Sequence, residues 1–292
     1  MPTSKQVAGI FSTRVFRALG HARFAPYRLR LSVLADLLDS PETTTLGDAF
    51  DIAHQYIAEG YRGEYVYKNS IVRQLVLERH DPHEAGVQIE MHTGASIADV
   101  VVFNGTSTAY EIKTDRDSFA RLDTQFHDYL TCFDLVNLVV SDHKVSAAQK
   151  ATPDGVGIIR LNAAGDLDEV RPPDSNIGQL DCARLFALLR QDEVLRVLNR
   201  TLYYEPDTTP ANLWNRTRDL FVSLDVEVAH CEVVSELRDR GRSRLQFARN
   251  VAPALSALAC ATDQSKVATC RTLARLALPV PEAISLDMES RR

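Results

Sequence analysis

Cysteine is scarce in this chain and poorly spaced for metal or disulfide chemistry. Its five cysteines, Cys132, Cys182, Cys231, Cys260 and Cys270, form no Cys-x-x-Cys pair and are odd in number. That pattern argues against a disulfide framework and against a zinc site, and His21, His80 and His83 stand far from the thiols in sequence. A reduced, cytoplasmic setting is the expectation. Long apolar runs are missing as well. No stretch approaches the roughly 20 residues that a membrane-spanning helix needs, and the N-terminus carries no secretory apolar region followed by a small-residue cleavage site. A surplus of positive charge is also lacking, because 33 Lys and Arg against 39 Asp and Glu leave a net charge of −6. Such a balance excludes a surface coated uniformly for nucleic acid. Tryptophan is reduced to Trp214 alone, which suits a buried anchor better than a base-stacking platform.

What the chain does contain is ordinary for a globular protein, with 45% hydrophobic and 25% charged residues over 292 positions. That length admits one large domain or two. Basic residues are clustered locally. Lys5, Arg14, Arg17, Arg23, Arg28 and Arg30 all precede the first acidic residue, Asp36, and Arg238, Arg240, Arg242 and Arg244 follow one another in ELRDRGRSRLQFARN. Either cluster can serve phosphates or be a solvated helix face paired with the surplus acids.

The richest segment runs from Ser96 to Leu130. Residues 96–103 (SIADVVVF) and 106–114 (TSTAYEIKT) are dense in β-formers, and Asn104-Gly105 between them predicts a hairpin. Its register sets Asp99 opposite Glu111 to within one residue. Alternation puts Glu111 and Lys113 on one face and Asp99, Val101 and Phe103 on one face of the partner strand. Charges inside apolar strands are costly without partners. Two carboxylates and a lysine converging on one area fit a divalent cation with hard oxygen ligands, Mg²⁺ with Mn²⁺ as substitute. An edge-strand salt bridge between Lys113 and a neighbouring carboxylate explains the same residues without a metal.

The next segment, 117–133 (DSFARLDTQFHDYLTCF), has helical periodicity through Phe119, Leu122, Phe126, Tyr129, Leu130 and Phe133. Asp115 or Asp117 is placed to cap it, and Gln125 and Tyr129 are neighbours on its surface. Asp, then Glu-x-Lys on a strand, then Gln-x-x-x-Tyr on the following helix resembles the PD-(D/E)XK nuclease superfamily, in its RecB-like and Cas4-like branch. GASIADVVVFNG, YEIKTDRDSFARLDTQ and YLTCFD are similar to a largely uncharacterised bacterial family within it. The resemblance implies that Asp99 and Glu111 bind metal, that Ile112 gives its carbonyl, and that Lys113 is the catalytic lysine. It implies that Gln125 and Tyr129 position the lysine or the nucleic acid. Glu64, in YRGEYVYKNSIVRQL, is similar to the acid on a preceding helix that completes the metal site. Ala98 stands where a proline often precedes the first Asp.

The neighbouring pattern gives strands at 87–93, 134–142 and 156–162 and a helix over HKVSAAQKAT. The expected fold is α/β, a restriction-endonuclease-like mixed sheet flanked by helices, with a mainly helical C-terminal region. The expected divisions are an N-terminal helical region (1–54), the nuclease-like core (55–165) and the C-terminal region (166–292), with a polar boundary in AAGDLDEVRPPDSN. That last region suits DNA gripping, a homodimer, a protein partner or a cover for the sheet. The expected function is metal-dependent phosphodiester hydrolysis, in DNA rather than RNA by the resemblance, which also implies phage defence or mobile-element biology. The alternative is a non-catalytic nucleic-acid-binding or protein-interaction module on the same fold.

Overall fold

The computed structural model of the chain describes residues 1–81 and 83–285. Two compact units divide it: residues 1–79 together with those from 243 onward, and residues 80–242. The division therefore falls elsewhere than 54/55 and 165/166. Residues 55–79 belong with the N-terminal helices, and the expected C-terminal region is shared between the units. Residues 286–292 of that region lie outside the described residues.

The unit spanning 80–242 is a mixed six-stranded sheet in sequence order. The strands are β1 (Gly86–Thr93), β2 (Ser96–Phe103), β3 (Ser107–Lys113), β4 (Leu135–Ser141), β5 (Gly157–Leu161) and β6 (Leu167–Arg171). β1, β2 and β3 are antiparallel neighbours. β4 and β5 continue in parallel and β6 returns antiparallel. Parallel neighbours need crossovers, and these are the helices Leu122–Leu130 and Val145–Ala151. We call the first the site helix. It begins five residues later than periodicity alone suggests, because Asp117 folds back to accept the Thr114 N–H and hydroxyl, at 2.8 and 2.7 Å, in a turn of its own. β4, apolar except for Asn137 and Ser141, is buried on both faces, as a central parallel strand must be. β6 falls inside the stretch expected to be a boundary. It is an edge strand of half-exposed residues with no apolar alternation, held in part by the Arg160–Asp168 ion pair at 2.8 Å.

The main core lies on one face of the sheet, where Val101, Phe103, Ala109, Val136, Leu138, Val140 and Ile158 meet Leu122, Phe126, Tyr129 and Phe133. The long helix Val226–Ala248 crosses the β1 edge at two glycines. A methyl on Gly86 would stand 2.5 Å from the Arg238 carbonyl oxygen, and one on Gly241 would stand 2.7 Å from the Val87 nitrogen. His230 of that helix reaches the sheet, its Nε2 2.8 Å from the Ser107 hydroxyl.

The other unit is helical. Thr45 caps the helix Leu46–Gly60 through the Asp48 N–H. Helix Glu64–Ser70 runs on into a π-helical stretch, Ile71–Leu77. Asn69 stitches the distant segments of this unit together. Its Nδ2 donates to the Pro253 carbonyl at 3.1 Å, and its Oδ1 accepts the Ala257 N–H at 3.1 Å. Among the described residues no helix is long and apolar enough to cross a membrane.

Candidate active site

The site begins with the hairpin. β2 and β3 pair Phe103 with Ser107 and Val100 with Tyr110, so the next position along sets Asp99 against Glu111. The ladder ends there. The Asp99 carboxylate instead accepts the Ile112 N–H through Oδ2 at 2.8 Å, a bond that ties the two strands where main-chain pairing stops. The loop holds Asn104, Gly105 and Thr106, and Gly105 takes φ 99, which suits glycine.

Glu111 is 2% exposed and Lys113 is 7% exposed. Oε1 of Glu111 accepts from Lys113 Nζ at 2.6 Å and from Gln125 Nε2 at 2.6 Å. The Gln125 carbonyl oxygen accepts from the same ammonium at 2.9 Å. Oε2 of Glu111 lies 2.7 Å from the Tyr129 hydroxyl, which is also 2.7 Å from the Ile97 carbonyl. Burial, followed by the Glu111 charge and hydrogen bond, holds the Tyr129 phenol well above its usual pKa. The helical spacing of Gln125 and Tyr129 thus turns both polar groups toward one carboxylate. The structure brings Asp99, Glu111, Ile112, Lys113, Gln125 and Tyr129 into one cluster. Glu64 belongs to the other unit, where its half-exposed carboxylate pairs with Lys68 at 2.5 Å.

Other side chains support the cluster without carrying a motif. Asp128, on the site helix, accepts the Ala95 N–H and the Ser96 hydroxyl at 3.2 and 2.7 Å. Arg184 lies 3.6 Å from its other oxygen. That holds the turn between β1 and β2, where Gly94 has φ 61. Glu90, the β1 residue level with Asp99, has φ 55, a conformation that costs a non-glycine residue about 1–3 kcal/mol and gathers at functional sites. The signal in sequence was an acid interrupting the VQIEMHT strand. Its backbone state has no local signature.

The second basic cluster is spent within the chain. Arg240 pairs with Glu193, Arg242 with Asp239 at 2.5 Å, and Arg238 lies 3.8 Å from Asp239. Arg244 pairs with Asp263 at 3.1 Å. Of the two readings open for these arginines, intramolecular pairing is the one the structure displays.

Among the described residues no three His, Cys, Asp or Glu side chains are grouped to hold a metal ion alone. Two carboxylates from adjacent strands would leave further coordination to the Ile112 carbonyl, water and phosphate. Magnesium commonly takes such a share of protein, water and substrate oxygens, so the donor set fits.

A family model described as bacteriophage P4 protein cII matches residues 58–250, a span that contains every candidate residue above. Protein cII of Enterobacteria phage P4 is 33% identical over 66 residues, which is 23% of this chain and 25% of that protein. The match therefore spans about a quarter of that relative's length. The SPO1766 protein of unknown function from Silicibacter pomeroyi aligns with a TM-score of 0.32 and 19% identity, covering 48% of this chain and 93% of that one.

Proposed function

The chain belongs to the bacteriophage P4 protein cII family, and from its site we propose a metal-dependent nuclease that hydrolyses phosphodiester bonds, in DNA rather than RNA. The observation that carries this reading is the convergence on Glu111 of Lys113, Gln125 and Tyr129, with Asp99 in register beside it. Asp99, Glu111 and the Ile112 carbonyl would hold Mg²⁺, with Mn²⁺ as substitute. A bound ion there supplies a more acidic water and a clamp for a phosphate oxygen. Lys113 orients the attacking water and offers positive charge to the phosphoryl oxygens as negative charge grows on them. Gln125 holds that ammonium in place through its carbonyl oxygen. The strand, strand, strand, helix, strand, helix, strand order of residues 86–161 agrees with the nuclease-like fold. The choice of DNA and a phage or mobile-element setting rest on resemblance alone.

One observation favours the alternative of a binding or interaction module: both Glu111 oxygens already have protein partners. Cleavage decides between the two. Labelled single- and double-stranded DNA should be cut by the wild-type chain with Mg²⁺ or Mn²⁺, and not by Lys113→Met. Absence of cutting, with thermal stability unmoved by either metal, would favour the module.

A further inference from the structure

Tyr129 has two acceptors and one proton. Its hydroxyl is 2.7 Å from the Ile97 carbonyl and 2.7 Å from Glu111 Oε2, and a phenol donates a single O–H. On the same carboxylate, Oε1 already takes both Lys113 and Gln125. Tyr129 is the donor on Oε2, and an alternative acceptor for it is already in place.

We propose that Tyr129 is a hydrogen-bond switch at the metal site, donating to Glu111 in the metal-free chain and to the Ile97 carbonyl when Glu111 would hold a divalent cation. The proposal rests on the nuclease reading above. The exchange needs only rotation of a hydroxyl on a ring packed in the core. Neither state leaves a buried O–H without a partner, which would otherwise be costly. Ile97 lies two residues before Asp99 on β2, so the loaded state also bonds the site helix to the strand that carries the other carboxylate. Tyr129 acts through Glu111 and is a positioning residue.

The direction of the effect separates this role from simple support. A hydrogen bond to a carboxylate is roughly twice as strong as one to a neutral carbonyl, so the switch holds back metal binding slightly. Removing the hydroxyl should tighten it, by about fivefold, whereas loss of mere support would weaken it. The test is calorimetric titration of Mn²⁺ into the full chain, as wild type, Tyr129→Phe and Glu111→Gln. The expected result is binding by the wild type, tighter binding by Tyr129→Phe and none by Glu111→Gln. Equal or weaker binding by Tyr129→Phe overturns the switch and leaves the metal centre standing. No binding by the wild type overturns both. A second readout does not depend on the variant folding: the Mn²⁺-minus-EDTA infrared spectrum of ring-labelled wild-type protein. One tyrosine C–O stretch should shift as its acceptor changes, and an unshifted spectrum in protein that binds Mn²⁺ counts against the switch.

Discussion

At the scale of single residues, Glu111 is a buried charge held from several sides. Its carboxylate is buried and takes donors from Lys113, Gln125 and Tyr129. Removing one partner of a buried ion pair strands the other and typically costs about 3–5 kcal/mol. Glu111→Ala should therefore lower unfolding stability by about that much, with Lys113 left in the core. Glu111→Gln keeps the shape and an acceptor oxygen and should lose distinctly less. Urea denaturation of both variants checks the order, and equal losses would mean that the ammonium finds solvent once its partner is gone. For this reason the isosteric variant is the better probe of chemistry.

At the scale of elements, the long helix over β1 depends on the absence of two side chains. A methyl on Gly86 would meet main-chain atoms of Arg238, and one on Gly241 those of Val87. Backbone cannot step aside as a flexible side chain can, so Gly86→Ala should cost at least the ~1–3 kcal/mol typical of overpacking. A fall in the urea midpoint at unchanged slope is the expected result. An unchanged midpoint would show that the helix and β1 can separate enough to admit the methyl group. The same scale shows what could be read from sequence. Asn104-Gly105 and the alternation in SIADVVVF and TAYEIK contain the hairpin register, and the four-residue spacing of Gln125 and Tyr129 contains their common direction. β6 was illegible because a half-exposed edge strand imposes no apolar period. Neither Glu90's backbone state nor the Asp128 anchor leaves a local trace, since each depends on a neighbouring strand or turn. The discontinuous helical unit rests on contacts such as Asn69 with Pro253 and Ala257, which no sequence window contains.

For the whole molecule, two buried histidines should make the fold less stable in acid. His54 is pushed down to about 4, chiefly by burial and further by the Arg73 charge. In the sheet unit, His230 is also lowered by burial, with Asp134 opposing. Each takes up its proton at lower pH in the fold than in the unfolded chain. The unfolded chain therefore binds more protons below pH ~6.5, and stability falls as pH drops through that window toward 4. Asp51, raised mainly by burial, works in the opposite direction, so the comparison must be between variants. His54→Leu should lose less Tm than wild type between pH 7 and 5, and parallel losses would remove His54 from the explanation. The arginines at 238–244 lie against acids of the chain, and the positive charge at the proposed site itself is that of Lys113. The decisive measurement is accordingly cleavage of labelled DNA by wild type with Mg²⁺, by wild type with EDTA, and by Glu111→Gln with Mg²⁺. The account expects cutting in the first alone. Cutting that survives EDTA or the substitution, or no cutting by wild-type protein whose stability Mg²⁺ leaves unmoved, would contradict it.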